Sequence, residues 1–198
     1  MDGRAYVNLT NRCHNACVFC IRNTGDGVKG TPLWLNKEPT ADEVLLAFEN
    51  VKDYITDGEV VFCGYGEPTE RLDVLTDCAA RLKKTGYKLR LNTNGLGDLV
   101  NGKSIAPLLK DFDTVSVSLN ESDADKYAKV TKSAYGTVAF DAVIKFACDC
   151  KKEGIYTVFT VVDTIGGADI EECKKIAERT GIPLRVREYI ADNYGEGK

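Results

Sequence analysis

The stretch "YKLRLNTNG", Tyr87 to Gly95, decides the fold class. In it Leu89, Leu91 and Thr93 alternate with Arg90, Asn92 and Asn94. A period of two sends the two sets to opposite faces of a strand, so one face is apolar and the other hydrogen-bonding. The same grammar recurs along the chain. Val115, Val117 and Leu119 alternate with Thr114, Ser116, Ser118 and Asn120; Leu184 and Val186 with Arg185, Arg187 and Tyr189; Val7 and Leu9 with Tyr6, Asn8 and Thr10. "EVVFCG" (59–64) and "IYTVFTVVD" (155–163) also read as strands, although their two faces are not separated by periodicity. Six strands are expected.

Helical patterns follow at least the first five. One begins on the capping box Thr40 and Glu43, just after Pro39, with a stripe of Val44, Phe48, Val51 and Ile55. A second carries Leu72, Leu75, Ala79 and Leu82 and stops at Gly86; the fifth opens on Asp169 and Glu172 and runs through Ile170, Cys173 and Ile176 to Gly181. Strand–helix alternation of this kind reads as parallel βα units. Parallel strands covered by helices are usually apolar on both faces, and these are not. An open sheet with one wet face satisfies the pattern; a curled sheet enclosing a polar lumen fits the βα order better. The expected fold is therefore α/β, a partial (β/α)6 TIM-like barrel, formed by residues 1–198 as a single domain without an appended auxiliary-cluster or cobalamin domain.

The 198 residues suffice to bury a core without staples, and 26 Lys plus Arg against 30 Asp plus Glu leave a net charge of −4. No block of like charge advertises a nucleic acid partner, though a local basic patch is compatible with the balance. No run of eighteen apolar residues and no signal-peptide layout at "MDGRAYVNLT" is present, so a cytoplasmic protein without a membrane partner is expected, with its eight cysteines reduced.

In barrels of parallel strands, chemistry gathers in the loops after the strands' carboxyl ends. Two such loops are unusual here. "RCHNACVFC", Arg12 to Cys20, follows the first strand and places Cys13, Cys17 and Cys20 within eight residues; "FCGYGEPTE", Phe62 to Glu70, follows the second. In the latter, Gly64 and Gly66 flank Tyr65 and permit close backbone approach, with Glu67 and the stiffening Pro68 behind. A closed zinc site wants four ligands, usually from paired knuckles, and there is no second C-x-x-C; the one histidine, His14, abuts Cys13 and is expected to point away. A [4Fe–4S] cube normally takes four thiolates, so three suggest a cube with one iron left open. Another metal, or reduced structural thiols, are the alternatives on spacing alone.

Cys13-x-x-x-Cys17-x-x-Cys20, with Phe19 before the last cysteine, resembles the signature of the radical S-adenosylmethionine (radical SAM) superfamily. Gly64-Tyr65-Gly66-Glu67-Pro68 is similar to that superfamily's Gly-Gly-Glu-Pro motif, departing from it at Tyr65, and the βα units resemble its partial barrel. More narrowly, "VNLTNRCHNACVFCIRN" (7–23) with "LWLNKEPT" (33–40) resembles a small subgroup linked to TatD-type nucleases. The resemblance implies a [4Fe–4S] cluster on Cys13, Cys17 and Cys20 whose open iron takes the amino and carboxylate groups of SAM. Reductive cleavage of the S–C5′ bond would then give a 5′-deoxyadenosyl radical that abstracts hydrogen from a substrate. It further implies that Glu67, with Gly64, Gly66 and Pro68 around it, holds the SAM amino group, that Phe19 lies near adenine, and that Arg187, ahead of Arg185, meets the carboxylate. Asn94, Ser116 and Ser118 are then the ribose candidates. An electron donor such as flavodoxin or ferredoxin is implied. Six βα units leave a barrel with an open side that something must cover, so a peptide or protein substrate is expected there, a modified RNA next; a small metabolite enclosed by the loop before Pro39 and association with a TatD-type nuclease are the other expectations.

Plainer readings stand beside these. Cys78 and Cys173 lie on apolar helix stripes and read as core; Cys148 and Cys150 offer too few ligands for a second cluster; Cys63, ending the second strand, reads first as packing. Gly166 and Gly167 read as a turn before Asp169 rather than an approach to adenine. The lumen arginines read equally well as structural ion-pair partners. The glycine-rich loop from Ile21 to Pro39, holding the sole tryptophan, Trp34, reads as a lid over the site or as a packed Ω-loop.

Overall fold

The structure, a computed structural model, describes residues 3–23 and 33–188. Tyr189 and, in the glycine-rich loop, residues 24–32 lie outside the described residues.

Six strands pair in parallel in chain order: β1 (Ala5–Val7), β2 (Glu59–Phe62), β3 (Lys88–Thr93), β4 (Thr114–Ser118), β5 (Tyr156–Val162) and β6 (Leu184–Arg187). The register carries the alternation across the sheet, Leu91 lying beside Val115 and Asn92 beside Ser116. Leu89, Leu91, Val115, Val117 and Leu119 are fully buried in the main apolar cluster. The two strands left ambiguous by sequence are resolved by that cluster. Val60 and Phe62 of β2, and Phe159 and Val161 of β5, belong to it; Val61 and Val158, though buried, face the other side.

The sheet is rolled. In a flat sheet, five spacings of about 4.8 Å would hold β1 and β6 roughly 24 Å apart, beyond the reach of screened charges. Instead burial, then repulsion from Arg187, Arg90 of β3 and Arg4 beside β1, lowers the pKa of Arg185 on β6. Arg187 also acts on Cys63 at the end of β2. The alternating polar residues thus face one another across a lumen. β1 and β6 do not pair, so the barrel stays open along that seam.

Helices α1 (Ala41–Glu49), α2 (Leu72–Lys83), α3 (Gly97–Asn101), α4 (Ala124–Thr131), α5 (Val138–Lys152) and α6 (Gly167–Thr180) cover the apolar face. The capping box at α1 is formed: the Glu43 amide donates to the Thr40 hydroxyl and the Thr40 amide to the Glu43 carboxylate. The helix is shorter than its apolar stripe implies. Its backbone tightens at Asn50, leaving Val51 exposed, and Ile55 reaches the core only through a 3-10 turn over Lys52–Tyr54. α6 also departs from expectation: it opens at Gly167, and Asp169 bonds Ser122 and Lys126 of the α4 region instead of capping its own helix. Gly166, at φ +87°, makes the turn. Cys78, Cys150 and Cys173 are buried within the apolar cluster, with Cys148 packed against it. No described helix is long and apolar enough to cross a membrane.

Candidate cofactor site

The cysteine loop is sewn to the far side of the barrel mouth. The amides of Ala16 and Val18 donate to the carbonyls of Thr131 and Val130 at 2.9 Å each, and Ala134 N–H donates to His14 C=O at 2.8 Å. The loop after β1 therefore takes up carbonyls at the carboxyl end of α4, which would otherwise lack partners. A tight turn follows, with Cys20 N–H to Cys17 C=O at 3.1 Å. His14 does point away: its Nδ1 pairs with the Glu70 carboxylate and its ring stacks on Tyr135, 5.3 Å between centroids.

Two donors face Cys13 Sγ, the backbone amide of Asn15 at 3.4 Å and the side-chain amide of Asn94 at 3.7 Å. The Asn94 orientation follows from its other end, where Oδ1 accepts from Leu96 N–H at 2.9 Å and so leaves Nδ2 toward sulfur. Asn94, expected at a ribose, thus lies against a cysteine of the loop. Burial pushes the Cys13 thiol up, while burial and repulsion from Cys20 and Cys13 push Cys17 up to about 12. Three half-buried thiols that repel one another as anions call for a cationic partner before they can ionise together. Among the described residues no three His, Cys, Asp or Glu side chains converge on a single metal ion. In a cube each thiolate binds a different iron, so its ligands need not meet at one point; an all-cysteine soft donor set on one loop fits such a cluster.

The second loop is clamped to the first. Glu67 N–H donates to Arg12 C=O at 2.8 Å, immediately before Cys13. A Cβ on Gly66 would fall 2.2 Å from the Thr10 carbonyl oxygen and 2.7 Å from that of Arg12; on Gly64 it would fall 2.2 Å from Asn8 Oδ1. Both glycines are therefore required by close approach to the chain itself. Tyr65, at the departure from the usual motif, is buried and meets Trp34 edge-on at 4.9 Å, while the Arg22 guanidinium covers the Trp34 ring at 4.9 Å. The returning limb is also stitched down: Asn8 and Asn11 donate to the carbonyls of Leu33 and Leu35 at 2.7 and 2.8 Å. Over residues 33–38 the packed-loop reading holds.

The Glu67 side chain is buried and saturated. Oε1 accepts from Thr69 N–H (3.2 Å), Thr69 Oγ1 (2.8 Å) and Thr93 Oγ1 (2.7 Å), and Oε2 from Asn94 N–H (2.7 Å). Burial raises its pKa against these four bonds. Glu67 thereby ties the motif loop to the end of β3, with Pro68 starting the 3-10 turn Pro68–Arg71 behind it.

Sequence reading missed Glu38. It accepts from Thr10 Oγ1 and pairs with Arg12 at 2.7 Å and Arg71 at 3.0 Å, joining the cysteine loop, the returning limb and the motif loop. The Arg12 guanidinium holds its carboxyl well below the usual range, at about 2. The only signal for it in sequence is a carboxylate flanked by two distant arginines, which no local pattern singles out.

Phe19 is half-buried within the cysteine loop, Ser116 is buried on β4 and Ser118 half-buried, and Arg187 and Arg185 stand exposed on β6. The structure brings Asn94, Glu67 and Cys13 into one bonded set; the β4 and β6 candidates share its lumen face but are not bonded to it. Two shallow outer concavities, about 340 Å3 beside α1 and about 460 Å3 between α4, α5 and α6, are away from this set.

Comparison with known proteins bears on the family and the fold. The family profile described as the radical SAM superfamily matches residues 7–180. No curated protein matches the chain in sequence. Among solved structures, it is similar to Streptococcus suis SuiB bound to S-adenosylmethionine (TM-score 0.71, 20% identity, 96% of this chain and 40% of that one). It is also similar to anSMEcpe with bound AdoMet (0.67, 19%, 98% and 54%) and to the FeFe-hydrogenase maturase HydG from Carboxydothermus hydrogenoformans (0.62, 15%, 93% and 44%). The chain thus spans about two-fifths to a half of these proteins.

Proposed function

The chain belongs to the radical SAM superfamily, whose cofactors are a [4Fe–4S] cluster and SAM, and on that premise we propose that it is an enzyme cleaving SAM reductively to abstract hydrogen from a peptide or protein substrate. The observation that carries this reading is the direct clamp of the G-Y-G-E-P loop onto the residue before Cys13. When bound, cluster and SAM supply an organic radical, chemistry that no side chain provides.

The chain's own residues position and shield. Cys13, Cys17 and Cys20 hold the cluster, and the amides of Asn15 and Asn94 direct hydrogen bonds at Cys13 sulfur. The backbone of Gly64–Glu67 borders the SAM amino group, kept in place by the buried Glu67 carboxylate. Arg187 meets the SAM carboxylate as a charge-assisted partner, Phe19 borders adenine, and Ser116 and Ser118 lie on the lumen face toward ribose. A radical must be kept from water and stray reductants, and the Trp34–Tyr65 contact pins one wall beside the mouth for that purpose.

The preference for a peptide or protein follows from the open seam between β1 and β6, which a bulky partner can cover. A flavodoxin or ferredoxin supplies the electron. We further place the chain with the subgroup linked to TatD-type nucleases, on the likeness of its 7–23 and 33–40 segments; co-purification with such a nuclease tests that association. The activity is tested by anaerobic reconstitution with iron and sulfide, then reductant and SAM. 5′-Deoxyadenosine is expected from wild type and not from Cys17→Ala; a cluster-loaded protein that binds SAM and never forms it would reject the proposal.

A further inference from the structure

Among the described residues, the lumen carries more positive charge than its carboxylates answer. Arg4, Arg90, Arg185 and Arg187, from two strands (β3 and β6) and the approach to β1, lie close enough for the other three to destabilise the Arg185 cation. Glu59 compensates two of them, with Arg4 Nε at 2.7 Å and Arg90 Nη2 at 2.6 Å, and Asp57 also reaches Arg4 at 2.7 Å. Arg185 and Arg187 have no carboxylate within ion-pair distance among the described residues. The Arg90 Nε donor and the Asn92 Oδ1 acceptor are buried on this face without a partner among the described residues. A chain of net charge −4 has carboxylates to spare, yet places almost none here. Guanidinium groups so gathered attract an incoming anion, for which their planar forks are suited.

We infer that the lumen binds an oxyanion borne by the substrate, a carboxylate or a phosphate, on Arg185 and Arg90, separately from the Arg187 position given to the SAM carboxylate. This rests on the radical SAM reading above and adds a substrate class to it. A peptide meets the requirement through an acidic side chain or its C-terminus; a phosphorylated substrate meets it through phosphate. Arg185 is the informative position. It is exposed and makes no ion pair among the described residues, so Arg185→Gln relieves repulsion without breaking an ion pair there, whereas Arg90 is tied to Glu59.

The test is an NMR titration of the reconstituted, oxidised full chain with inorganic phosphate and, separately, succinate, with chloride holding ionic strength constant. SAM is titrated into the same samples. Saturable shifts at lumen amides such as Cys63 and Asn92 are expected. Arg185→Gln should weaken anion binding roughly tenfold or more, leave SAM affinity unchanged, and melt no lower than wild type. Tighter phosphate points to a phosphorylated substrate, tighter succinate to a carboxylate. The inference is overturned if neither anion saturates, if Arg185→Gln loses stability in the absence of anion, or if it weakens SAM as much as the probe. The last result would assign these arginines to SAM itself. A chain that binds phosphate but not SAM would instead sink the enzymatic reading and leave the anion site standing.

Discussion

Replacing Glu67 by glutamine separates two roles for the most enclosed carboxylate of the site. The substitution keeps shape and removes one acceptor. A glutamine at 67 must turn its NH2 either toward Thr69 N–H and the two threonine hydroxyls, or toward Asn94 N–H. The Thr93 oxygen accepts from Gly95 N–H at 3.0 Å and its proton goes to Glu67, so accepting from an NH2 as well would strand that proton. Facing Asn94 is therefore cheaper, losing one bond in place of two or three. That choice forfeits a charge-assisted bond, about 1.5–3 kcal/mol, and strands a buried amide, about 1–3 kcal/mol. Relief of the buried charge, which raises the Glu67 pKa, offsets part of this. The net expectation is about 2–4 kcal/mol, or roughly 4–16 °C in the melting of a chain this size. Thermal unfolding of the apoprotein at neutral pH measures it, with SAM affinity of the reconstituted protein measured in parallel. A variant that melts within a degree of wild type but no longer binds SAM would refute the reasoning and return Glu67 to direct ligand contact.

Asn94→Ala removes a hydrogen bond to Cys13 sulfur, and should lower the cluster's reduction potential by tens of millivolts in a spectroscopic redox titration, since such donors stabilise the reduced state. Gly66→Ala forces a Cβ against two backbone carbonyls and should cost about 3 kcal/mol, with iron content after reconstitution falling accordingly. Glu38→Gln should destabilise by about 1 kcal/mol at neutral pH, because the network is half-exposed and partly screened by solvent. Its folded pKa lies below the unfolded value, so the contribution exists above the ordinary carboxylate range and is lost as pH falls through about 2; wild type and variant should converge in acid unfolding there.

The alternations in β3 and β4 and the βα order announced a rolled parallel sheet, because period-2 burial is a property of single strands that needs no tertiary knowledge. Val61 and Val158 hid their faces because an apolar residue fits either side of a strand buried on both. The end of α1 was misjudged for a related reason: Val51 and Ile55 keep helical spacing, but the backbone had already tightened. At the site, the cysteines and the glycine–glutamate loop were legible as local motifs. What they touch was not. That Asn94 reaches sulfur, that Glu67 serves β3, and that Glu38 joins three loops depend on contacts across 26 to 81 positions in sequence. Tyr65 looked like a blemish in the motif and is instead the partner of Trp34.

The central claim is that Cys13, Cys17 and Cys20 hold a four-iron cluster with one iron free for SAM. Electron paramagnetic resonance of the anaerobically reconstituted, dithionite-reduced protein tests it most directly, recorded with and without SAM. The account predicts a reduced [4Fe–4S] signal that changes on SAM addition and is lost when any of the three cysteines becomes alanine. Stoichiometric zinc in its place, or a cluster signal that SAM leaves untouched, would contradict it.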